Sequence, residues 1–354
     1  MTEVFTYSGM PARVVFGRGT LKNLSDEVVR LGGERVLVLS TSQQQGQAET
    51  VREQLGGRSV GVFAGAAMHT PVEVTEAAMD VVKSRNVDCT VAIGGGSTTG
   101  LGKAIALRTD LPQIAVPTTY AGSEMTPILG QTEAGEKTTL RSDSVLPETV
   151  IYDVDLTLSL PVMLSCTSGI NAVAHAVEAL YAKDGNPITA MMAEEGIRAL
   201  ASALARIVAA PEDVDARTDA LYGAWLCGTC LGSVGMALHH KLCHTLGGTF
   251  DLPHSETHTI VLPHAVAYNS TNANPAMAAI TRALGGAPAA QGLFDLAQEL
   301  GVPLALKDLG MPEDGIDRAT DLALKNPYWN PRPIEHGAIR DLISNAWAGR
   351  RPAN

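Results

Sequence analysis

Along the first 160 residues, short apolar runs alternate with longer amphipathic ones. Residues 34–40 (ERVLVLS) form a β-branched and leucine run of the kind a buried parallel strand presents. Residues 59–63 (SVGVF) make a second strand, weakened by the central glycine. Residues 72–85 (VEVTEAAMDVVKSR) have the spacing of a helix. Strands follow at 88–93, at 113–116 before Pro117, and at 149–152. Strands separated by helical segments predict a parallel, doubly wound sheet.

Beyond Pro161 the strand signal fades. Residues 169–182, 187–209, 213–238, 275–284, 289–300 and 334–348 all read as helices, with Pro187 suited to a first turn. The pattern therefore predicts an α/β domain over 1–160 and an all-α domain over 161–354, with the boundary near 155–163. At 354 residues, two domains are also the expectation from length.

Composition narrows the class. Apolar residues make up 45% and charged residues 18%, as in a packed globular chain. Thirty-five glycines favour close packing of helices. The net charge of −11 repels nucleic acid and anionic membrane, so neither is expected as a partner. An anionic ligand then needs a local basic pocket. Five cysteines do not suggest a disulfide framework. The opening MTEVFTYSGM lacks the charged and apolar regions of an export signal, so a cytoplasmic location is expected. The uncharged stretch 220–238 reads as a buried helix rather than a membrane span. Cys227 and Cys230, a C-x-x-C inside that stretch, read as a buried structural pair.

Two constellations carry chemistry. In VAIGGGSTTGLGKAIAL a strand meets three glycines and then a helix start at Ser97. Glycines allow close backbone approach, and a helix N-terminus suits a pyrophosphate. A tight turn without a ligand fits the same residues. Pro117 to Glu124 (PTTYAGSE) follows another strand, and two such loops at neighbouring carboxyl ends favour a dinucleotide site. The second constellation is histidine-rich. Asn171 and His175 share a helix face, as do His240 and His244 in LHHKLCHTLGG, and a loop histidine, His254, comes four residues before His258. These imidazoles supply either metal ligands or a metal-free acid–base cluster. Cys243 adjoins His244 and reads first as a packing residue.

The order GGGS, PTT, N-A-x-A-H-A-x-E, H-H-K-L-C-H-x-L-G-G and P-H resembles the iron-containing alcohol dehydrogenase superfamily over nearly the whole chain. Within it, MHTPVEVT, PTTYAGSEMTPI, SGINAVAHAVEALYA and NPYWNPRPI are similar to the maleylacetate reductase family. The resemblance implies a Rossmann-like N-terminal domain, a helical C-terminal domain, an active-site cleft between them and a homodimer. It implies that Gly95, Gly96 and Ser97 bind the pyrophosphate of NADH or NADPH. Thr118, Thr119 and Ser123 would lie along the nicotinamide half, and Thr157 near the adenine. The superfamily's metal positions fall on Asn171, His175, His240 and His254, and His244 matches a histidine beside the nicotinamide.

Two departures matter. An aspartate expected at the first metal position is Asn171 here, and an uncharged amide is a poor ligand for Fe²⁺. Catalysis without metal is therefore expected, as the resemblance to maleylacetate reductases also implies. The strand that often ends in a ribose-binding aspartate ends in Ser40-Thr41-Ser42, which leaves NADH and NADPH both open. The implied reaction is reduction of maleylacetate, a small dicarboxylate met in aromatic-compound degradation, to 3-oxoadipate. Hydride goes to the conjugated double bond, and His244 or His240 supplies the proton, with His175 and His254 alongside. Lys241, Arg141, Asn171 and Cys243 are candidates for the substrate pocket, and Lys241 reads equally as a solvated helix residue. The nearest alternative is a metal-dependent alcohol or polyol dehydrogenase. A lyase that recycles its dinucleotide and a dinucleotide-binding regulator are two others.

Overall fold

The computed structural model describes residues 5–10, 12–133, 136–326 and 328–353. The chain forms two compact units, Met10–Leu160 and Pro161–Asn354, the second joined by Met1–Gly9. Of the described residues, 5–9 group with the helical unit. The first strand of the sheet begins at Arg13.

The sheet unit contains strands β1 (Arg13–Gly17), β2 (Val36–Leu39), β3 (Ser59–Phe63), β4 (Cys89–Gly94), β5 (Gln113–Pro117), β6 (Ile128–Glu133), β7 (Glu136–Arg141) and β8 (Thr149–Asp153). Its helices are α1 (Leu24–Arg30), α2 (Gln45–Leu55), α3 (Val72–Ser84) and α4 (Gly96–Thr109). Six strands form a parallel sheet in the order β1-β8-β5-β4-β2-β3, as the alternating pattern predicts. Strands β2, β4, β5 and β8 are buried at every position, which is why they read as unbroken apolar runs. Val38, Val91, Ile93, Ile114 and Val116 pack into one of its cores, and Leu37, Leu39, Leu101 and Ile105 into another. Strands β6 and β7 form a separate antiparallel hairpin, which the pattern did not show. Strand β1, partly exposed along its length, was also missed.

The helical unit comprises α5 (Val162–Leu180), α6 (Pro187–Ala209), α7 (Val214–Ser233), α8 (Leu238–Phe250), α9 (His254–Asn269), α10 (Asn274–Ala283), α11 (Ala289–Glu299), α12 (Gly315–Ala323) and α13 (His336–Ala348). Asn186 caps α6 by accepting from the Ile188 and Thr189 N–H groups, with Pro187 in the first turn. Helices α6 and α7 approach closely at Gly196 and Gly223. A Cβ on Gly223 would lie 3.0 Å from the Gly196 carbonyl oxygen, and one on Gly196 would lie 2.7 Å from the Cys227 sulfur. All five cysteines are free and buried. Burial pushes the Cys230 thiol up to about 12, and Cys227 rises for the same reason, which fits inert packing residues.

The helix expected over 213–238 is corrected to two. Helix α7 ends at Ser233, and α8 begins at Leu238 at an angle of 96° to it. The break is built from carboxylates. Asp184 accepts from the Gly235 N–H, and Glu178 accepts from the Ala237 and His239 N–H groups. Among the described residues no single helix is long and apolar enough to cross a membrane.

Candidate active site

In the sheet unit, the carboxyl ends of three adjacent strands converge. Strand β4 runs through Gly94 into Gly95, and α4 starts at Gly96. Gly94 has φ +152°, and a Cβ there would stand 2.4 Å from the Thr98 hydroxyl and 2.9 Å from the Gln44 amide oxygen. Only glycine fits this turn without strain. The Gly95 carbonyl accepts from the Thr98 and Thr99 N–H groups, so the first N–H groups of α4, on Gly96 and Ser97, are left for an anion.

The loop after β5 closes over this turn. The Thr118 N–H donates to the Gly94 carbonyl (3.0 Å), and the Thr118 hydroxyl accepts from Gln44 Nε2 (2.8 Å). A Cβ on Gly95 would touch the Thr119 methyl at 3.1 Å. Thr98 and Ser123 carry buried hydroxyls without a partner in the protein. Lys103, buried in α4, fastens the loop from beneath by donating to the carbonyls of Ser123, Thr126 (2.7 Å) and Ile128 (2.9 Å). Burial pulls its pKa down to about 7, and Glu124 opposes that shift. Glu124 is itself buried and accepts from the Tyr152 hydroxyl (2.7 Å). Ser40 and Thr157 are fully buried, and their hydroxyls are spent on the carbonyls of Thr41 and Val154. Both therefore belong to the wall at the ends of β2 and β8.

In the helical unit, the histidines assemble around Glu178. This residue lies on one face of α5 with Asn171 and His175, seven and three positions before it. Its carboxylate is fully buried, yet it accepts from the N–H groups of Ala237 (2.8 Å) and His239 (2.7 Å) at the start of α8. Those N–H groups have no helical acceptor, and a helix N-terminus favours negative charge, so the cap offsets the cost of burial. The same carboxylate meets His240 Nδ1 at 2.7 Å, and His240 Nε2 lies 2.9 Å from His175 Nδ1. A carboxylate only accepts, so His240 Nδ1 carries the hydrogen. In a neutral His240, Nε2 is then an acceptor for His175 Nδ1–H. The carboxylate and the two imidazoles thus form one buried hydrogen-bonded chain, Glu178–His240–His175.

A second histidine pair packs against this chain. His239 Nε2 lies 2.9 Å from His258 Nδ1, and the Cys243 sulfur lies 3.6 Å from His239 Nε2. Burial, with neighbouring histidines adding to it, holds both His239 and His258 well below the ordinary histidine range. Burial raises the Cys243 thiol well above its ordinary value.

The other candidates are placed as follows. His254, expected in a loop, is instead the first residue of α9, and its ring lies 4.4 Å from that of His258. His244 is exposed on α8, edge-on to His240 with ring centroids 6.3 Å apart. Asn171 Oδ1 is buried without a partner. Lys241 is half-buried, with Nζ 5.7 Å from the centre of the Tyr328 ring. Arg141 is exposed on β7 of the sheet unit and is not part of the helical cluster. Sequence reasoning assigned no role to Glu178, His239, Lys103 or Gln44. For Glu178 a signal existed, its helical register with Asn171 and His175.

Comparison with known proteins identifies the family. The family model for iron-containing alcohol dehydrogenase matches residues 11–154, and that for the C-terminal part of the Fe-containing alcohol dehydrogenase family matches 165–347. The chain is 58% identical over 350 residues to a maleylacetate reductase of Rhizobium sp., covering 99% of each. It is 57% identical to one of Burkholderia cepacia, covering 99% of this chain and all of the other. The solved structure of a maleylacetate reductase from Agrobacterium tumefaciens superposes with a TM-score of 0.96 at 58% identity, over 99% of this chain and 100% of that one.

Proposed function

This chain belongs to the iron-containing alcohol dehydrogenase family, among its maleylacetate reductases, and from that premise we propose that it reduces maleylacetate to 3-oxoadipate with NADH or NADPH. The sheet unit is the dinucleotide-binding half. The α4 N-terminus at Gly95, Gly96 and Ser97 takes the pyrophosphate, and Thr118, Thr119 and Ser123 line the nicotinamide side. Ser40 and Thr157 shape the wall near the adenosine half. With no carboxylate in Ser40-Thr41-Ser42, a 2′-phosphate meets no repulsion there.

The helical unit handles the proton. When bound, the nicotinamide would supply a hydride to the alkene carbon β to the ketone, which would build negative charge on the ketone oxygen. A positioned acid meets that charge and then protonates the α carbon. The observation that carries this assignment is the buried relay from Glu178 through His240 to His175. Exposed His244, beside His240, is the second candidate donor. Lys241, Asn171 and His254 are the polar groups we assign to the substrate's carboxylates and ketone. The protein works as a cytoplasmic homodimer in this reading.

A resident Fe²⁺ does not fit these residues. Asn171, His175, His240 and His254 offer an amide and three imidazoles without a carboxylate. Glu178 is already spent on backbone N–H groups and His240. No step is therefore routed through a metal. The test follows NADH absorbance with maleylacetate, before and after exhaustive chelation. Turnover unchanged by chelation supports the reading. Complete loss restored by Fe²⁺ or Zn²⁺ overturns the metal-free mechanism, and activity only on simple alcohols overturns the substrate.

A further inference from the structure

We infer that His239, Cys243 and His258 form a binding site for a borderline-soft divalent cation of the Zn²⁺ class. They use none of the four positions that match the family's metal site. His239 and Cys243 stand one turn apart on α8, and His258 faces them from α9. Their donor atoms all lie within 4.8 Å of one another, and all three residues are buried.

The spacing approaches that of a tetrahedral site. Zn–N bonds of about 2.05 Å and a Zn–S bond of about 2.3 Å set an N···S edge near 3.6 Å and an N···N edge near 3.3 Å. The structure has Cys243 Sγ to His239 Nε2 at 3.6 Å and His239 Nε2 to His258 Nδ1 at 2.9 Å. Of the three edges, the Cys243–His239 edge is in place, the His239–His258 edge opens by a few tenths of an ångström when a cation replaces the shared proton, and the Cys243–His258 edge lies within 4.8 Å. The outer nitrogens, His239 Nδ1 and His258 Nε2, have no hydrogen-bond partner, so no hydrogen bond has to break for that small turn of the rings. For the same reason the site lacks the outer-sphere anchors that tighten metal–histidine bonds, and it binds more weakly than a structural zinc centre. The donor set of one thiolate and two imidazoles selects Zn²⁺ or Co²⁺ over Mg²⁺ or Ca²⁺. Three protein ligands leave a fourth position for water, and the His254 ring lies 4.4 Å from that of His258.

Such a cation would also act on the relay. The rings of His239 and His258 lie 5.3 Å and 5.1 Å from that of His240, so drawing them inward disturbs the packing around it.

The test titrates the chelator-treated, reduced, full-length protein with Co²⁺ under anaerobic conditions. The expected result is saturation at one equivalent with a near-ultraviolet thiolate-to-cobalt band. Cys243→Ala abolishes that band while circular dichroism shows the fold intact. His258→Gln and His239→Gln each weaken Co²⁺ binding at least about tenfold. His175→Ala leaves the band in place, because His175 is not one of the ligands. Absence of a thiolate band at saturating Co²⁺ overturns the proposal. So does a band that survives Cys243→Ala, or histidine variants that bind as tightly as the parent.

Discussion

Glu178 and His240 are 62 residues apart in the chain, yet their side chains meet at 2.7 Å with the carboxylate fully buried. The contact joins the C-terminal part of α5 to the first turn of α8, and it fixes which nitrogen of His240 carries the hydrogen.

Glu178→Gln removes the charge while keeping the shape. One face of the amide then turns an N–H toward the N–H groups of α8. Charge-assisted hydrogen bonds of this kind contribute about 1.5–3 kcal/mol, so stability falls by about 2 kcal/mol. Turnover falls at least about tenfold as His240 loses its orientation. Urea denaturation and steady-state kinetics check both. A variant within twofold of the parent in turnover would remove Glu178 from the mechanism.

Gly94→Ala tests the dinucleotide turn. The methyl group meets the Thr98 hydroxyl and the Gln44 amide at a backbone angle that only glycine adopts readily. We expect the KM for NADH to rise at least about tenfold, a loss of about 1.4 kcal/mol in binding. The effect on the KM for maleylacetate is smaller. Equal change in both would point to general misfolding.

His264 makes stability depend on pH. It is buried in α9 near the Phe294 ring, and burial pulls its pKa from 6.5 down to about 4. Between those values the unfolded chain binds a proton that the folded chain refuses. The contribution is therefore full above pH 6.5 and is lost as pH falls toward 4. At pH 5 the loss from this residue is about 2 kcal/mol. His264→Leu should reduce the drop in unfolding free energy between pH 7 and pH 5 by about that amount, as read from denaturant melts. An unchanged drop would show that other groups set the acid limb.

Asn171→Asp supplies the carboxylate that the family's metal position calls for. It stands one helical turn from His175 and is almost fully buried. We expect Zn²⁺ affinity to rise at least about tenfold in equilibrium dialysis, with a fall in maleylacetate turnover as the cation occupies the relay. No gain in metal content would mean that the remaining histidines cannot close around an ion.

The parallel sheet was legible because strands covered on both faces must be apolar throughout. Residues 88–93 and 113–116 therefore stood out against their polar flanks. The glycine turn was legible as a turn, because Gly94-Gly95-Gly96 lies between a strand and a helix, while those residues alone fit a tight turn without a ligand equally well. Strand β1 and the β6–β7 hairpin were not, since their half-exposed residues leave no comparable run.

In the helical half, periodicity revealed most helices but hid the break at 234–237, whose residues are as apolar as the helices around it. Gly235, two residues past Ser233, is the one local stop signal, and glycines at 223, 228 and 232 inside α7 make it easy to overlook. The break exists because Asp184 and Glu178, distant in sequence, accept its N–H groups. Residue types and helical register thus determined by themselves that Asn171 and His175 would share one helix face, and His240 and His244 another. Which imidazole meets which, and which carboxylate stands behind them, was decided only by packing. A hydrogen bond between residues 60 apart depends on how helices cross, and no spacing along the chain encodes that angle.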